Sequence, residues 1–290
     1  VCSSDLVDSI AIGQSYDKQI VSALGVAVSS RSDNQTKLFS ALEGASIPAS
    51  LAKLPSDTAF AFGLDTRFIA KASDLLASLQ DQQSAAALQQ AKDLQGVTFG
   101  VRNGDGSSPL PDVYLVFNAA NRDTFATTAE SLIGEAMSSA AGVAPQWSSK
   151  DVDGTPTKFI MTMIGAGVYL SSPKDSNSLV VASSERAVRD VLQASAGQKG
   201  GIADSLQASL KDSFSAAKLG SVYFNAIQTA SLLDSVKSSV AMFAGPSPEL
   251  EQALNTENLK RLGLATGRIS YSNGLFLVES AFDASAGAGN

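Results

Sequence analysis

The chain has 290 residues, 44% of them hydrophobic and 17% charged, with a net charge of −7; at that length folding buries about three quarters of the unfolded surface, so no staple or metal is required for stability. An acidic chain without a Lys/Arg cluster excludes binding to a phosphate backbone and favours solubility. There is no histidine and one cysteine, Cys2, which removes the commonest general base, any intramolecular disulfide and any thiolate zinc site, and no cofactor is implied.

In chain order, the first regular element is the apolar run Ile20–Val28 behind Lys18. It is too short to span a bilayer and predicts a strand. Residues 7–19 are polar, with Asp8, Gly13 and Asp17, and offer it no partner. It is therefore expected at the sheet edge, where unpaired backbone groups favour dimerisation or aggregation. Leu38, Phe39 and Leu42 mark a helix, and a strand is expected over 59–64. After Asp65 or Thr66 as cap, Phe68, Ile69, Ala72, Leu75, Leu76 and Leu79 form an apolar stripe at helical spacing.

Strands over 97–102 and 113–118 are joined by a Gly/Ser/Pro-rich stretch, and Phe125, Ala129, Leu132, Ile133, Ala136 and Met137 mark the next helix, ended by Gly142 and Pro145. Asp153-Gly154 precedes a strand over 159–164, and Gly165-Ala166-Gly167 leads to one over 168–171. A strand over 179–182 runs into Ser184, the cap of a helix burying Ala187, Val188, Val191 and Leu192. Ile202, Leu206, Leu210 and Phe214 recur every four residues, and Ser247-Pro248-Glu249 is a helix start. Asn273-Gly274 between Leu264–Ser272 and 275–282 is the strongest short-range hairpin signal. Hairpins joined by turns imply antiparallel pairing, so the fold class is α+β, with mainly antiparallel sheet and packed helices.

The pattern also echoes itself. The strand and helix around Asp65 return around Asn225, 160 residues on, and the hairpin of Thr98 returns around Thr266, 168 residues on. The strand over 26–30 and the helix of Leu38, Phe39 and Leu42 return as 180–184 and its helix, Ser29 matching Ser183, 154 residues on. This predicts an internal duplication of a strand–helix–hairpin unit within one compact domain. Residues 7–53 would be the tail of a truncated unit, 54–215 the first full unit, 216–284 the second copy of its strand–helix–hairpin part, and 285–290 a disordered tail. Val1-Cys2-Ser3-Ser4-Asp5-Leu6 resembles a translated sequencing adapter, which implies that 1–6 are not native and that the true start lies elsewhere.

Two short motifs resemble a group of bacterial exported proteins of unknown function. Leu54-Pro55-Ser56-Asp57-Thr58 running into Ala59-Phe60-Ala61-Phe62 is similar to their opening, and 179–182 followed by Ser183-Ser184-Glu185-Arg186-Ala187-Val188 looks like a second segment. The resemblance implies an α+β ectodomain placed in the periplasm or envelope by a signal or anchor, and it carries no catalytic residues.

No glycine-x-serine-x-glycine elbow is present, and without histidine the usual triad cannot form. Ser15/Lys18, Ser50/Lys53, Ser171/Lys174 and Ser215/Lys218 have Ser-x-x-Lys spacing and Ser32-Asp33-Asn34 has the second penicillin-binding signature, but Lys-Thr-Gly is missing. Gly104-x-Gly106 is followed by Pro109 and not by a helix. Asn103, Asp105 and Asp112, or Asp151 and Asp153, fall short of a calcium loop and are explained as turn formers. Met161, Met163, Val168, Leu170, Phe276 and Val278 are candidates to line an apolar ligand cavity, with ordinary core as the plain reading, and Trp147 is a candidate interface residue.

Three readings of function follow. The first is a non-enzymatic exported domain that binds or organises an unidentified protein or envelope component. The second is a carrier of a lipid or other apolar ligand, and the third a hydrolase without histidine.

Overall fold

The computed structural model describes residues 7–16, 20–30, 32–70, 72, 91–105, 110–141, 146–161, 167–173, 176–245 and 256–283. The chain opens on the hairpin β1 (Val7–Tyr16) and β2 (Ile20–Val28), followed by α1 (Asp33–Glu43), α2 (Ala49–Ala52) and β3 (Phe60–Asp65). Strands β4 (Leu94–Arg102) and β5 (Asp112–Ala119) precede α3 (Arg122–Ala141). Next come β6 (Ser148–Val152), β7 (Thr155–Met161), β8 (Gly167–Ser171), β9 (Ser178–Ala182) and α4 (Glu185–Ser195). The last part holds α5 (Ile202–Ser205), α6 (Ala208–Ser215), β10 (Gly220–Asn225), α7 (Ala226–Ala244), α8 (Glu257–Lys260), β11 (Leu264–Ser272) and β12 (Leu275–Asp283). All strands join one 12-stranded sheet in the order β1-β2-β12-β11-β10-β3-β4-β5-β9-β8-β7-β6. Every neighbouring pair is antiparallel, as expected of the α+β class.

Local chemistry accounts for the elements. Asn273 and Gly274 have φ of 51° and 79°, and Asp153 and Gly154 have 50° and 75°. Two successive left-handed residues make the type I′ turn whose twist matches paired strands. Ser32 and Ser184 cap α1 and α4, each accepting from the backbone N–H three residues on, at 3.3 and 3.0 Å. Ile202, Leu206, Leu210 and Phe214 are all buried, but Ile202 sits on α5 and Leu210 and Phe214 on α6, because the chain is extended at Leu206 and Gln207 between them. The helix stripe from Ala72 to Leu79 falls mostly outside the described residues, as does the Ser247-Pro248-Glu249 start. Among the described residues no helix is long and apolar enough to cross a membrane.

The core lies on the face where Thr266, Tyr223, Ala61, Gly100, Tyr114 and Ala182 stand directly opposite one another across six strands. Leu51, Leu54, Val188, Val191, Leu210 and Phe214 pack on that face. On the other face α1 sets Phe39 against Tyr271, with ring centroids 5.4 Å apart. There α3 sets Phe125 against Phe117, also at 5.4 Å.

The N-terminal hairpin corrects one expectation. Ile20–Val28 is not an edge: it is paired with β1 on one side and β12 on the other. The segment read as too polar to pair carries Ile10 and Ile12 at strand alternation, and these meet Val26 and Leu24. Period-two spacing outweighed the nearby Asp8 and Gly13.

Gly100 gives a direct check of the core. A Cβ there would stand 2.1 Å from Cε2 of Tyr114, a fully buried ring whose hydroxyl is bonded to Thr58. The Gly100→Ala variant should lose about 1–3 kcal/mol in urea unfolding. Gly13→Ala, whose Cβ meets nothing within 4 Å, should stay within about 0.5 kcal/mol of wild type.

Candidate functional site

The segments 54–58 and 179–188 meet at one charge cluster built around a buried guanidinium. Arg102, at the end of β4, has 1% of its side chain exposed. Its Nη1 donates to both carboxylate oxygens of Asp57, at 3.1 and 3.2 Å. Its Nε and Nη2 donate to Oδ2 of Asp112, at 3.3 and 3.1 Å, and Nη2 lies 2.6 Å from Oδ2 of Asp190. Arg186 stands 3.7 Å from each of the same three aspartates, and Lys199 closes the group on Oδ1 of Asp190. Three cations thus face three carboxylates.

The backbone around the cluster is tied to it. Ser184 Oγ donates to Asp112 at 2.5 Å while its lone pairs cap α4. Thr58 Oγ1 donates to the Pro55 carbonyl at 2.6 Å and accepts from the Tyr114 hydroxyl. Burial alone would lower the Arg102 pKa, but the charges of Asp57 and Asp190 and the hydrogen bond to Asp190 outweigh it, and the pKa is raised. Burial likewise opposes ionisation of Asp190, yet hydrogen bonds from Lys199 and Arg102 hold its pKa below the usual carboxylate value. Burial pushes the Tyr114 hydroxyl up. Each of the three carboxylates is ion-paired to Arg102 and to Arg186, so the cluster ties its segments together.

Beside it, on the core face, α2, β5, β9, the β6–β7 turn and the C-terminal end of α4 enclose a cleft of about 540 Å³. Val116, Val180 and Leu192 supply its apolar floor, and Ser50, Asn118 and Ser178 its polar wall. Ser50 Oγ lies 2.8 Å from Thr98 Oγ1 and donates to Asn118 Oδ1 at 3.0 Å, while Asn118 Nδ2 donates to Ser178 Oγ at 2.9 Å. That chain fixes the orientation of the Asn118 amide, and an amide with two N–H groups and two lone pairs keeps one further bond at each end. Lys53 Nζ donates to the Ser195 carbonyl at 3.4 Å, where a cation complements the helix C-terminus.

The candidate residues from the sequence fall in several places. Leu170 is buried and Val168 half-buried in β8, Met161 is exposed in β7, and Met163 lies outside the described residues. Phe276 and Val278 sit in β12, six intervening strands from β8, so these residues do not share a wall. Trp147 is half-buried against the outer face of α3, its indole beside Gly134. Asn103 donates to Ser231 at 2.6 Å, Asp112 serves Arg102, Asp151 accepts from Gly154 N at 2.7 Å, and Asp153 accepts from Gln193 at 2.8 Å. Among the described residues no group of three His, Cys, Asp or Glu could hold a metal. Ser50 and Lys53 share the cleft, but their hydrogen bonds run to Thr98, Asn118 and Ser195 and not to each other.

Removing Arg102 leaves three carboxylates together with only the longer Arg186 contacts and Lys199 to offset them, so Arg102→Met should cost about 3–5 kcal/mol near neutral pH; a loss under about 1 kcal/mol would contradict the geometry. Because the folded Asp190 pKa is depressed, its contribution is present above the unfolded value near 4 and is lost as pH falls through the folded value. Urea midpoints should therefore fall with acidification below about pH 4 in the wild type, and less steeply in Arg102→Met. No family model matches the chain, and comparison with curated proteins and with solved structures finds no match.

Proposed function

We propose that the chain is a non-enzymatic exported domain that binds a partner in the cell envelope through the cleft between α2 and α4. The observation that carries this reading is the Ser50–Asn118–Ser178 chain: uncharged donors and acceptors held in fixed orientation above an apolar floor. Such a wall suits a neutral, hydrogen-bonding segment of an envelope component, since oriented polar groups over apolar surface give a pocket its specificity. Export rests on the resemblance to bacterial exported proteins, and the meeting of both motifs around Arg102 supports reading that resemblance as one of fold.

An internal duplication belongs to the same reading. It is supported by the sheet order: counting outward from the β10–β3 pair, β11 and β12 mirror β4 and β5, and β2 and β1 mirror β9 and β8, with β7 and β6 beyond the mirrored set. Thr98 and Thr266 occupy the same face and are both buried. The third echo does not hold as aligned, because β2 is paired on both sides and its register sets Val26 and Val180 on opposite faces.

Calorimetric titration of the whole chain with soluble cell-wall glycan fragments and with neutral extended peptides tests the proposal. One of the two should give saturable heat, and Asn118→Ala should weaken it at least about tenfold, a loss of ~1.4 kcal/mol. No saturable heat with either, or hydrolytic turnover that disappears in Ser50→Ala, would sink it.

A further inference from the structure

The two ends of the sheet are built differently. At one end β6 is five residues long and carries Lys150 and Asp151, the charged, short strand that discourages further pairing. At the other end β1 is ten residues long, with Asp8 as its one charged residue. Among the described residues β1 has a strand partner only on its β2 side. Ile10 and Ile12 on this strand are 64% and 79% exposed. The apolar strip continues inward through Leu24 and Val278, which stand directly across from Ile12 and are also exposed. An open row of backbone donors and acceptors is recognised by another strand, whose main chain supplies the complementary row.

We infer that the β1 edge is a self-association surface, occupied by β1 of a second copy in an antiparallel pair about a two-fold axis at Ala11. The register follows from the sequence of β1. With Ala11 opposite itself, Ile10 of each copy faces Ile12 of the other, so all four isoleucines meet on one face. Asp8, the bulged residue of the hairpin, falls beside Gln14 and not beside its own copy. A two-residue shift one way sets Ile12 against Asp8, and the other way sets Ile10 against Gln14. A one-residue shift turns the two isoleucine strips to opposite faces. Pairing with β6 of another copy would put Lys150 and Asp151 in the new ladder, so the self-complementary pair is favoured over an open chain of subunits.

Residues 8–14 supply about seven interchain hydrogen bonds, at the low end of the usual interface count. The area covered falls below the ~1,600 Å² of a standard interface. The dimer is accordingly reversible, with micromolar dissociation.

Sedimentation velocity of the whole chain across the micromolar range should show a monomer–dimer equilibrium. Ile12→Lys should weaken it more than tenfold with an unchanged circular dichroism spectrum, since the side chain is exposed. In a Cys2→Ser background, Ala11→Cys should form an intermolecular disulfide on mild oxidation, and Gln14→Cys should not. A monomer throughout, a dimer indifferent to Ile12→Lys, or cross-linking through Gln14→Cys alone would overturn the inference. None of these outcomes touches the cleft, so they are distinguishable from failure of the binding proposal.

Discussion

The fold depends on a guanidinium that has almost no contact with water. Arg102 reaches three carboxylates from three separate segments: Asp57 in the loop before β3, Asp112 at the start of β5, and Asp190 in α4. A charge at that depth is tolerable only when paired and hydrogen-bonded, and removing one partner costs far more than the pair contributes. The cluster therefore specifies which segments dock together. At the β11–β12 turn, on the other face of the sheet, the packing is aromatic instead, with Phe39, Tyr271 and Phe276 in mutual contact. Apolar packing of that kind is often no less stable than buried charge, so the ionic version is best understood as a device of placement. It seats the 54–58 loop and α4, whose C-terminal end lines the cleft.

How much of this was legible in the sequence depended on the range of the cause. Asn273-Gly274 announced its hairpin because the left-handed φ of both residues is a local property; Asp153-Gly154 has the same φ signs, but it was read only as preceding a strand over 159–164, and the β6–β7 hairpin it closes was missed. Ser184 announced α4 because an N-cap acts within three residues. The strand from Val7 was missed because its polar neighbours obscured a period-two signal carried by Ile10 and Ile12. The Arg102 cluster was not legible as a unit, since its members lie at 57, 102, 112, 186, 190 and 199 and only the sheet brings them together. Even so, Asp57 and Arg186 stood inside the two motifs that carried the resemblance. Ser50 and Lys53 were singled out for nucleophile chemistry; they share a site, but with hydrogen bonds that orient a binding wall. Met161, Val168, Leu170, Phe276 and Val278 looked alike as apolar residues on strands, and the crossovers between them set them at different ends of the sheet.

The physical picture is of one long sheet, fixed in its middle by a buried charge cluster, with a polar-walled cleft beside that cluster. Placement by ionic contact makes the cleft geometry a consequence of electrostatics as well as packing. The most direct test is a double-mutant cycle between Arg102→Met and Asp190→Asn, read by urea unfolding at neutral and at acid pH. A coupling energy above about 1 kcal/mol at neutral pH, shrinking as the carboxylates protonate, is the predicted result. Single-variant losses that add to within about 0.5 kcal/mol at neutral pH would contradict it, because the two residues would then be independent.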